Sequence, residues 1–583
     1  MFDLILNPIM HFFTEHPDIG QWYTTFVRWV FPLLALVLLI KVIRSLLQAE
    51  NPAEVWATLR FPNGTEVPLT HWENVIGRAK SADIVVPLAS VSRSHGTLTR
   101  TEDGVWYYHD LGSKSGTLIN GKPVTERTPI SFVDTLTIGG AEFKLMPVPA
   151  KERRQREKRR FFFSRPESPW SSLLLLTIFQ FLAGIQFMAA YGNECPVMAP
   201  VCLFFLSVVM WAYYFGMRAL RRVAFEMETI AFFLSTLGFC VCATASQGDI
   251  LKQFVALCLG VVLFLVISWF LQDLDRCKKV RMPLVVLGVI ALALNLVLGT
   301  ITYGARNWIS IGGVSVQPSE LVKLAFVFAG AATLDELYEK GNLTLYVIFS
   351  GICFAALGIM GDFGTALIFF VTFLVISFLR SGDFSKLILI LMGAAAAGMM
   401  ILRFKPYIAN RFAAWGHVWE YASTTGYQQT RTMSAAASGG LVGVGGGEGW
   451  LHDVAASETD LVFGVLSEEW GLLIAVLAVL CILTLAVFAV KSISSGRSTF
   501  YTIAACAGTT ILVMQTILNV FGSVDILPLT GVTFPFVSCG GTSMIVSWGI
   551  LAFLKAVDTR QNASFAVRLT SKKEKGGGSY EEA

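Results

Sequence analysis

The sequence predicts a polytopic all-α membrane protein of about 13 spans with an all-β sandwich inserted after the first span. Three observations carry this expectation. The 583 residues are 54% hydrophobic and only 15% charged, with a mean hydropathy of +0.61, whereas soluble domains carry about 25% charged residues. The apolar residues concentrate in stretches of about 20, enough to cross a hydrocarbon layer of about 30 Å. Between the first two stretches, residues 55–147 instead alternate short β-type runs with Gly, Asn, Asp and Ser turns.

The apolar runs lie near 26–47, 169–191, 198–217, 227–246, 251–271, 282–301, 319–335, 343–360, 363–379, 384–402, 461–490, 500–522 and 535–556. Basic clusters at Lys41/Arg44, Lys151–Arg160, Arg218/Arg221/Arg222, Arg276–Arg281, Arg380/Lys386, Lys491/Arg497 and Lys555/Arg560 fall in alternate loops. Placing all of them on one side satisfies the positive-inside rule without skipping a span. The soluble insert and the C-terminus are then cytoplasmic, and the N-terminus and the long loop 403–460 lie outside. The expected organisation is an anchor at 1–50, the soluble domain at 51–148, a basic linker at 149–168, two accessory spans at 169–222, a helical core at 223–558 and a disordered tail at 559–583. No cleavable signal peptide is expected, because residues 1–25 contain Asp3, Glu15 and Asp18. The net charge of +4 excludes nucleic acid as an expected partner, and the 10 cysteines show neither disulfide nor metal-ligand spacing.

Expected strands are Val55–Phe61, Ile84–Val86, Gly96–Thr99, Val105–His109, Thr135–Ile138 and Glu142–Leu145. Among them stand Gly77-Arg78, then Ser92-Arg93-Ser94-His95, then Ser113-Lys114-Ser115-Gly116-Thr117 leading to the hairpin pair Asn120-Gly121. In this order and spacing they resemble a forkhead-associated (FHA) domain. The resemblance implies binding of a phosphothreonine protein or peptide through loops at one end of the sandwich. A phosphate dianion needs converging guanidinium and hydroxyl donors. Arg78, Ser92 and Arg93 match the phosphate-contacting positions, and His95 matches a loop brace. Ser115 stands where the family has a backbone-holding Asn, so a degenerate docking module is the alternative.

In the second half, Arg306 precedes Pro318, Ser319, Glu320 and Lys323, which place an acid and a base in one helical turn. The segments Gly361–Thr365, Ser457–Phe463, Glu468–Gly471 and Phe534–Ser543 follow. Together, from about 227 to 557, these motifs resemble the FtsW/RodA/SpoVE (SEDS) family with its ten-span core. The resemblance implies a peptidoglycan glycosyltransferase that polymerises lipid II at the outer membrane face, with a class B penicillin-binding protein as partner. Such a transfer needs a base for a sugar hydroxyl and cations for a departing pyrophosphate. Asp460 matches the family's catalytic aspartate. Arg306, Lys323 and Arg431 are candidate cations, and Glu320 matches a cavity residue expected to pair with Lys323. Asp362 and Glu468 are further cavity candidates, with a helix cap as the alternative role for Asp362. A divalent cation (Mg2+ or Mn2+) on the pyrophosphate is compatible with the chemistry, although no ligand cluster marks a site.

Glu458, Gly361, Cys539 and Arg431 replace the His, Pro, Tyr and Gln common in the family. They mark a divergent member. Two other functions stay open: a transporter of lipid-linked precursor, which uses intramembrane charges equally well, and a non-catalytic scaffold recruiting phosphorylated partners. Division, elongation and sporulation roles are not separable at this level. The accessory spans read as scaffold.

Overall fold

The computed structural model describes residues 2–48, 53–80, 82–101, 103–163, 168–222, 224–302, 305–312, 314–334, 340–381, 384–404, 406–493, 495–560 and Ser564. The chain opens with α1 (Phe2–Glu15) and the long apolar α2 (Pro17–Gln48), and then enters the β-domain. One sheet joins β1 (Ala57–Arg60) and β2 (Glu66–Leu69) to strands from the end of the domain. The other is built on β3 (Glu73–Gly77), β4 (Ile84–Val85), β5 (Gly96–Arg100) and β6 (Trp106–Asp110). Then come β7 (Thr117–Ile119), β8 (Lys122–Pro123), β9 (Thr128–Ile130), β10 (Thr135–Ile138) and β11 (Ala141–Met146). The sheet orders are β2-β1-β11-β10-β7-β8 and β4-β3-β5-β6-β9. Their facing residues Leu59, Ile76, Leu98, Tyr108, Leu136 and Phe143 form a core separate from that of the helices.

All six expected strands form. The ones missed, such as β3 and β9, are short or carry charge and proline on the exposed face. Asn120 (φ 52°) and Gly121 (φ 81°) make the expected tight hairpin, because both central residues of that turn need positive φ.

The basic stretch expected as a linker is a helix, α3 (Ala150–Phe163). Helices α4 (Trp170–Tyr191), α5 (Met198–Ala219), α6 (Glu226–Ala245), α7 (Ile250–Phe270) and α8 (Leu274–Leu298) follow. A small antiparallel sheet, β12 (Thr300–Thr302), β13 (Ala305–Ile311) and β14 (Val314–Val316), leads into α9 (Pro318–Leu334). Next are α10 (Lys340–Met360), α11 (Phe363–Ser381), α12 (Phe384–Phe404), α13 (Pro406–Ala414) and α14 (Tyr427–Gly439). The chain closes with α15 (Val462–Glu469), α16 (Leu472–Ile493), α17 (Thr499–Ser523) and α18 (Gly541–Ala556). Among the described residues, eight helices are long and apolar enough to cross a membrane, and shorter apolar helices occupy α10, α11, α12 and α18.

Helix α6 is buried on every side and α17 packs on α9, α11, α16 and α18, so these two form the centre. Residues 461–490, read as one run, break at Gly471. Its φ of +93° and its approach to Val442 leave no room for a Cβ, and Leu472 N–H then bonds the Gly440 carbonyl at 3.0 Å. The last expected run starts with a turn over 535–540 before α18 begins.

The tail expected to be disordered from 559 begins with a buried residue. Arg560 bonds Glu226 at 3.0 Å and Asp558 at 2.7 Å. Lysines at 572–575 lie outside the described residues.

At the β-domain end, Ser498 caps α17 by accepting from Phe500 N–H at 3.2 Å. Glu73 of β3 adds a carboxylate there, accepting from Ser498 Oγ and Thr499 N–H, both at 3.2 Å. An N-cap of this kind contributes about 1 kcal/mol, and an anion at a helix N-terminus about 0.3–1 kcal/mol.

Candidate functional site

Asp460 lies at the other end of α17, in the loop that leads into α15 and outside the long apolar helices. An amide on α17 fixes its backbone: Asn519 Nδ2 donates to the carbonyls of Asp460 (3.1 Å), Thr459 (3.3 Å) and Val532 (2.8 Å). The turn before α18 closes on the same loop. Ser538 Oγ donates to the Thr459 carbonyl at 2.7 Å, Cys539 N–H bonds the Glu458 carbonyl at 2.8 Å, and the Cys539 thiol meets Cys242 of α6. Two motifs about 80 residues apart in sequence thus form one ladder. Gly531, at φ +71°, passes so close that an added Cβ would sit 3.3 Å from Asp460 Oδ2.

The Asp460 carboxyl is partly exposed. Burial raises its pKa most, the Thr459 hydroxyl opposes this, Glu458 raises it further and Arg411 on α13 lowers it, for a value of about 6. Arg411 also donates to the Leu529 carbonyl at 3.1 Å, which holds α13 over the segment carrying Gly531.

Glu320 and Lys323 form the expected pair at 2.5 Å in the first turn of α9, both buried. Asp362 caps α11 by accepting from Thr365 N–H at 3.1 Å and lies in electrostatic range of Lys323 and Glu320. Two contacts join this group to the segment carrying Gly531 and to the start of α18, both of which adjoin the Asp460 loop. Gly364 on α11 packs against Thr530 and Val532, and Gln317 N–H bonds Thr542 at 3.3 Å.

Glu468 accepts from Trp450 and Leu451 N–H at 3.0 Å each, so it braces the loop before Asp460. Arg306 is exposed on β13 and donates to the Leu296 carbonyl at 3.0 Å. Arg431 is exposed on α14, its guanidinium 5.2 Å from the Tyr427 ring centre. No contact among the described residues joins either arginine to Asp460.

The anchor helix α2 and the accessory span α4 do more than scaffold the fold. Trp470, just after α15, is ringed by Phe31 of α2 (4.8 Å between ring centres) and by Phe179 (6.1 Å) and Phe187 (6.0 Å) of α4. Gln186 of α4 donates to the Gly446 carbonyl at 3.2 Å. The glycine-rich stretch is therefore held by α2 and α4.

In the β-domain, Gly77 lets two loops meet, since a Cβ there would lie 2.1 Å from the Arg93 carbonyl. Arg78 N–H bonds the Ser92 carbonyl at 2.9 Å, and Arg78 and Arg93 are exposed. Ser92 Oγ accepts from Lys114 N–H at 3.0 Å, and Ser115 Oγ donates to the Ser90 carbonyl at 2.9 Å. His95, fully buried, links Ser92 N–H (3.1 Å) to the Gly116 carbonyl (3.2 Å). Asp110, which the sequence reading passed over, accepts from Ser113 N–H (2.8 Å), Ser113 Oγ (2.7 Å) and Thr117 Oγ1 (2.7 Å). Burial raises its pKa, but these donors and His95 outweigh burial and leave the carboxyl below its usual range. All four predicted positions therefore stand on three cross-braced loops.

Asn519, Arg411 and Ser538 were also missed. An amide inside an apolar run was a readable signal for Asn519, as for Gln515. Nothing in sequence spacing linked Arg411 or Ser538 to Asp460.

Comparison with known proteins agrees with this geometry. Residues 74–139 match the FHA domain. A probable peptidoglycan glycosyltransferase FtsW of Borreliella burgdorferi is 29% identical over 292 residues, covering 49% of this chain and 80% of that protein. Its counterpart in Bacillus subtilis is 28% identical over 353 residues, covering 57% and 85%. The counterpart in Dichelobacter nodosus is 30% identical over 301 residues, covering 49% and 75%. With residues 199–563 matching the cell cycle protein model FTSW_RODA_SPOVE, more than half of its length, the chain belongs to the FtsW/RodA/SpoVE family and carries an FHA domain.

Proposed function

We propose that the chain is a peptidoglycan glycosyltransferase that polymerises lipid II, with Asp460 as general base and the FHA domain as a phosphothreonine-dependent regulator. The observation that carries this reading is the Asp460 loop, where a partly buried carboxylate lies against Gly531 and its backbone carbonyl accepts from Asn519 Nδ2. In the reaction, Asp460 accepts the proton of a sugar 4-hydroxyl as that oxygen attacks the anomeric carbon of the second lipid-linked sugar. The bond from that carbon to the pyrophosphate oxygen breaks, and the polyprenyl pyrophosphate leaves. Arg411, in electrostatic range of Asp460, and Lys323, paired with Glu320, are the candidate cations for the departing charge. Among the described residues no three His, Cys, Asp or Glu side chains converge as metal ligands. A Mg2+ or Mn2+ ion on the pyrophosphate is compatible with this chemistry.

The sidedness follows from the basic loops. The FHA domain and the C-terminus face the cytoplasm, and the Asp460 loop faces outward. A class B penicillin-binding protein would cross-link the product there.

The pH profile tests the base. A carboxyl with a pKa of about 6 is mostly ionised at neutral pH and gains a proton as pH falls through that value. Polymerisation should fall about tenfold per unit below roughly pH 6, and a flat rate from about pH 5 to about pH 8 removes Asp460 from this role.

For the FHA domain, Arg78→Ala in the full chain should weaken binding of a phosphothreonine peptide library at least about tenfold, as loss of a charge-assisted phosphate contact demands. Fluorescence anisotropy with the unphosphorylated library as control reads it. Equal affinity for both libraries contradicts the assignment.

One observation favours a second reading, precursor transport. The buried Glu320–Lys323 pair and Asp362 form an ionisable group inside the bundle, as a transport path would.

A further inference from the structure

The β-domain is clasped to the turn between α16 and α17. His71 Nδ1 lies 2.8 Å from the Gly496 carbonyl, and Trp72 N–H donates to the Arg497 carbonyl at 2.7 Å. Arg497 pairs with Glu54 at 2.8 Å and stands over the Trp56 ring. Glu73 receives Ser498 Oγ and Thr499 N–H. The Trp72 side chain is buried in the helical core, not in the sandwich core. Neither half is therefore an independent tether. An ion pair, two main-chain carbonyls, a helix cap and a buried indole all cross the same junction.

Two rigid elements run outward from this clasp. Strand β3 begins at Glu73 and ends at Gly77, so the clasp and Arg78 occupy opposite ends of one five-residue strand. Helix α17 begins at Thr499, and twenty residues on, about 30 Å along the axis, Asn519 holds the carbonyls of Thr459 and Asp460. A shift or rotation of α17 at its capped end must move the only Asn519 donor, because a packed helix transmits displacement instead of absorbing it.

We infer that Glu73 and Asn519 are positioning residues at the two ends of α17, through which the docked FHA domain sets the placement of Asp460. The inference rests on the reading of Asp460 and Arg78 given above. It adds the route between them: β3, the Gly496–Thr499 turn, α17 and Asn519. Glu73 touches neither substrate nor phosphopeptide and acts only through α17.

The test uses the purified full chain in nanodiscs, as wild type, Glu73→Ala and Asn519→Ala. Backbone hydrogen exchange is the first readout. In Glu73→Ala, exchange should quicken at residues 496–502 and also at 456–466 across the bundle, while α10 is unchanged. Acceleration confined to 496–502 overturns the inference.

The second readout is lipid II polymerisation. Both variants should lose kcat by about fivefold or more, the lower end of known inter-site couplings, with KM for lipid II unchanged. Wild-type kcat in Glu73→Ala, despite an opened clasp, also overturns it. A simple loss of fold shows as a lowered unfolding temperature and accelerated exchange in α10, and the milder Glu73→Gln then carries the same two readouts. Failure of the underlying reading is separable. An active Asp460→Ala, or phosphopeptide binding unchanged by Arg78→Ala, removes the catalytic or peptide assignment without altering the exchange result.

Discussion

Asp460→Asn should lower lipid II polymerisation by about 10²–10⁴-fold, the usual worth of a general base. The substitution keeps shape and volume but cannot accept a proton. The hydrogen bonds that tie the loop to α17 and to the turn before α18 run to the backbone carbonyls of Glu458, Thr459 and Asp460, so the loop should stay in place. The loss should therefore appear in kcat, with KM for lipid II little changed. Two neighbours refine the expectation. Glu458 raises the Asp460 pKa and Arg411 lowers it. Glu458→Gln should accordingly move the acid limb of the rate profile below about pH 6, and Arg411→Ala should move it above. Residual activity of Asp460→Asn within a few-fold of wild type would place the base elsewhere.

Lys323→Met should destabilise the protein by about 3–5 kcal/mol, because it leaves the Glu320 carboxylate buried without its partner. That is a large share of the roughly 5–15 kcal/mol that typical domains have. Lys323 is fully buried and Glu320 is 4% exposed, so water cannot make up the loss. Unfolding in detergent, followed by tryptophan fluorescence, measures it. The double variant Glu320→Gln/Lys323→Met removes both charges and should recover most of the stability. If Lys323 also receives the pyrophosphate charge, stability returns and activity does not. Activity returning together with stability would make the pair purely structural.

Eight helices long and apolar enough to cross a membrane, the inserted sandwich and six of its strands were legible, because hydrophobic length and period-two alternation are local properties. The break at Gly471 was not, since it depends on Val442 coming within reach of that glycine. Ser457–Phe463 and Phe534–Ser543 could each be read as a motif, but their ladder through Ser538 and Cys539 is tertiary. Glu320 and Lys323 are one turn apart, so their pairing was visible. Arg431 looked equally suitable by charge alone, yet it stands exposed against Tyr427. Asp362 offered two roles, and the Thr365 bond supports the cap. The roles of α2 and α4 around Trp470 were hidden because apolar spans carry no label for the neighbours they choose.

The clasp was hidden for the same reason. Glu73 and Ser498 are ordinary polar residues in sequence, and only docking turns them into a shared helix cap. The route inferred above runs from this clasp through α17 to Asp460, which charge placement assigns to the opposite membrane face from the FHA domain.

The most direct test of the central claim is purified full-length protein in liposomes with fluorescent lipid II and its partner transpeptidase, read at once for glycan strands and for transbilayer movement. The proposed function predicts strands from the wild type and none from Asp460→Ala. Lipid II crossing the bilayer without polymer in the wild type, unaffected by Asp460→Ala, would contradict it and favour transport.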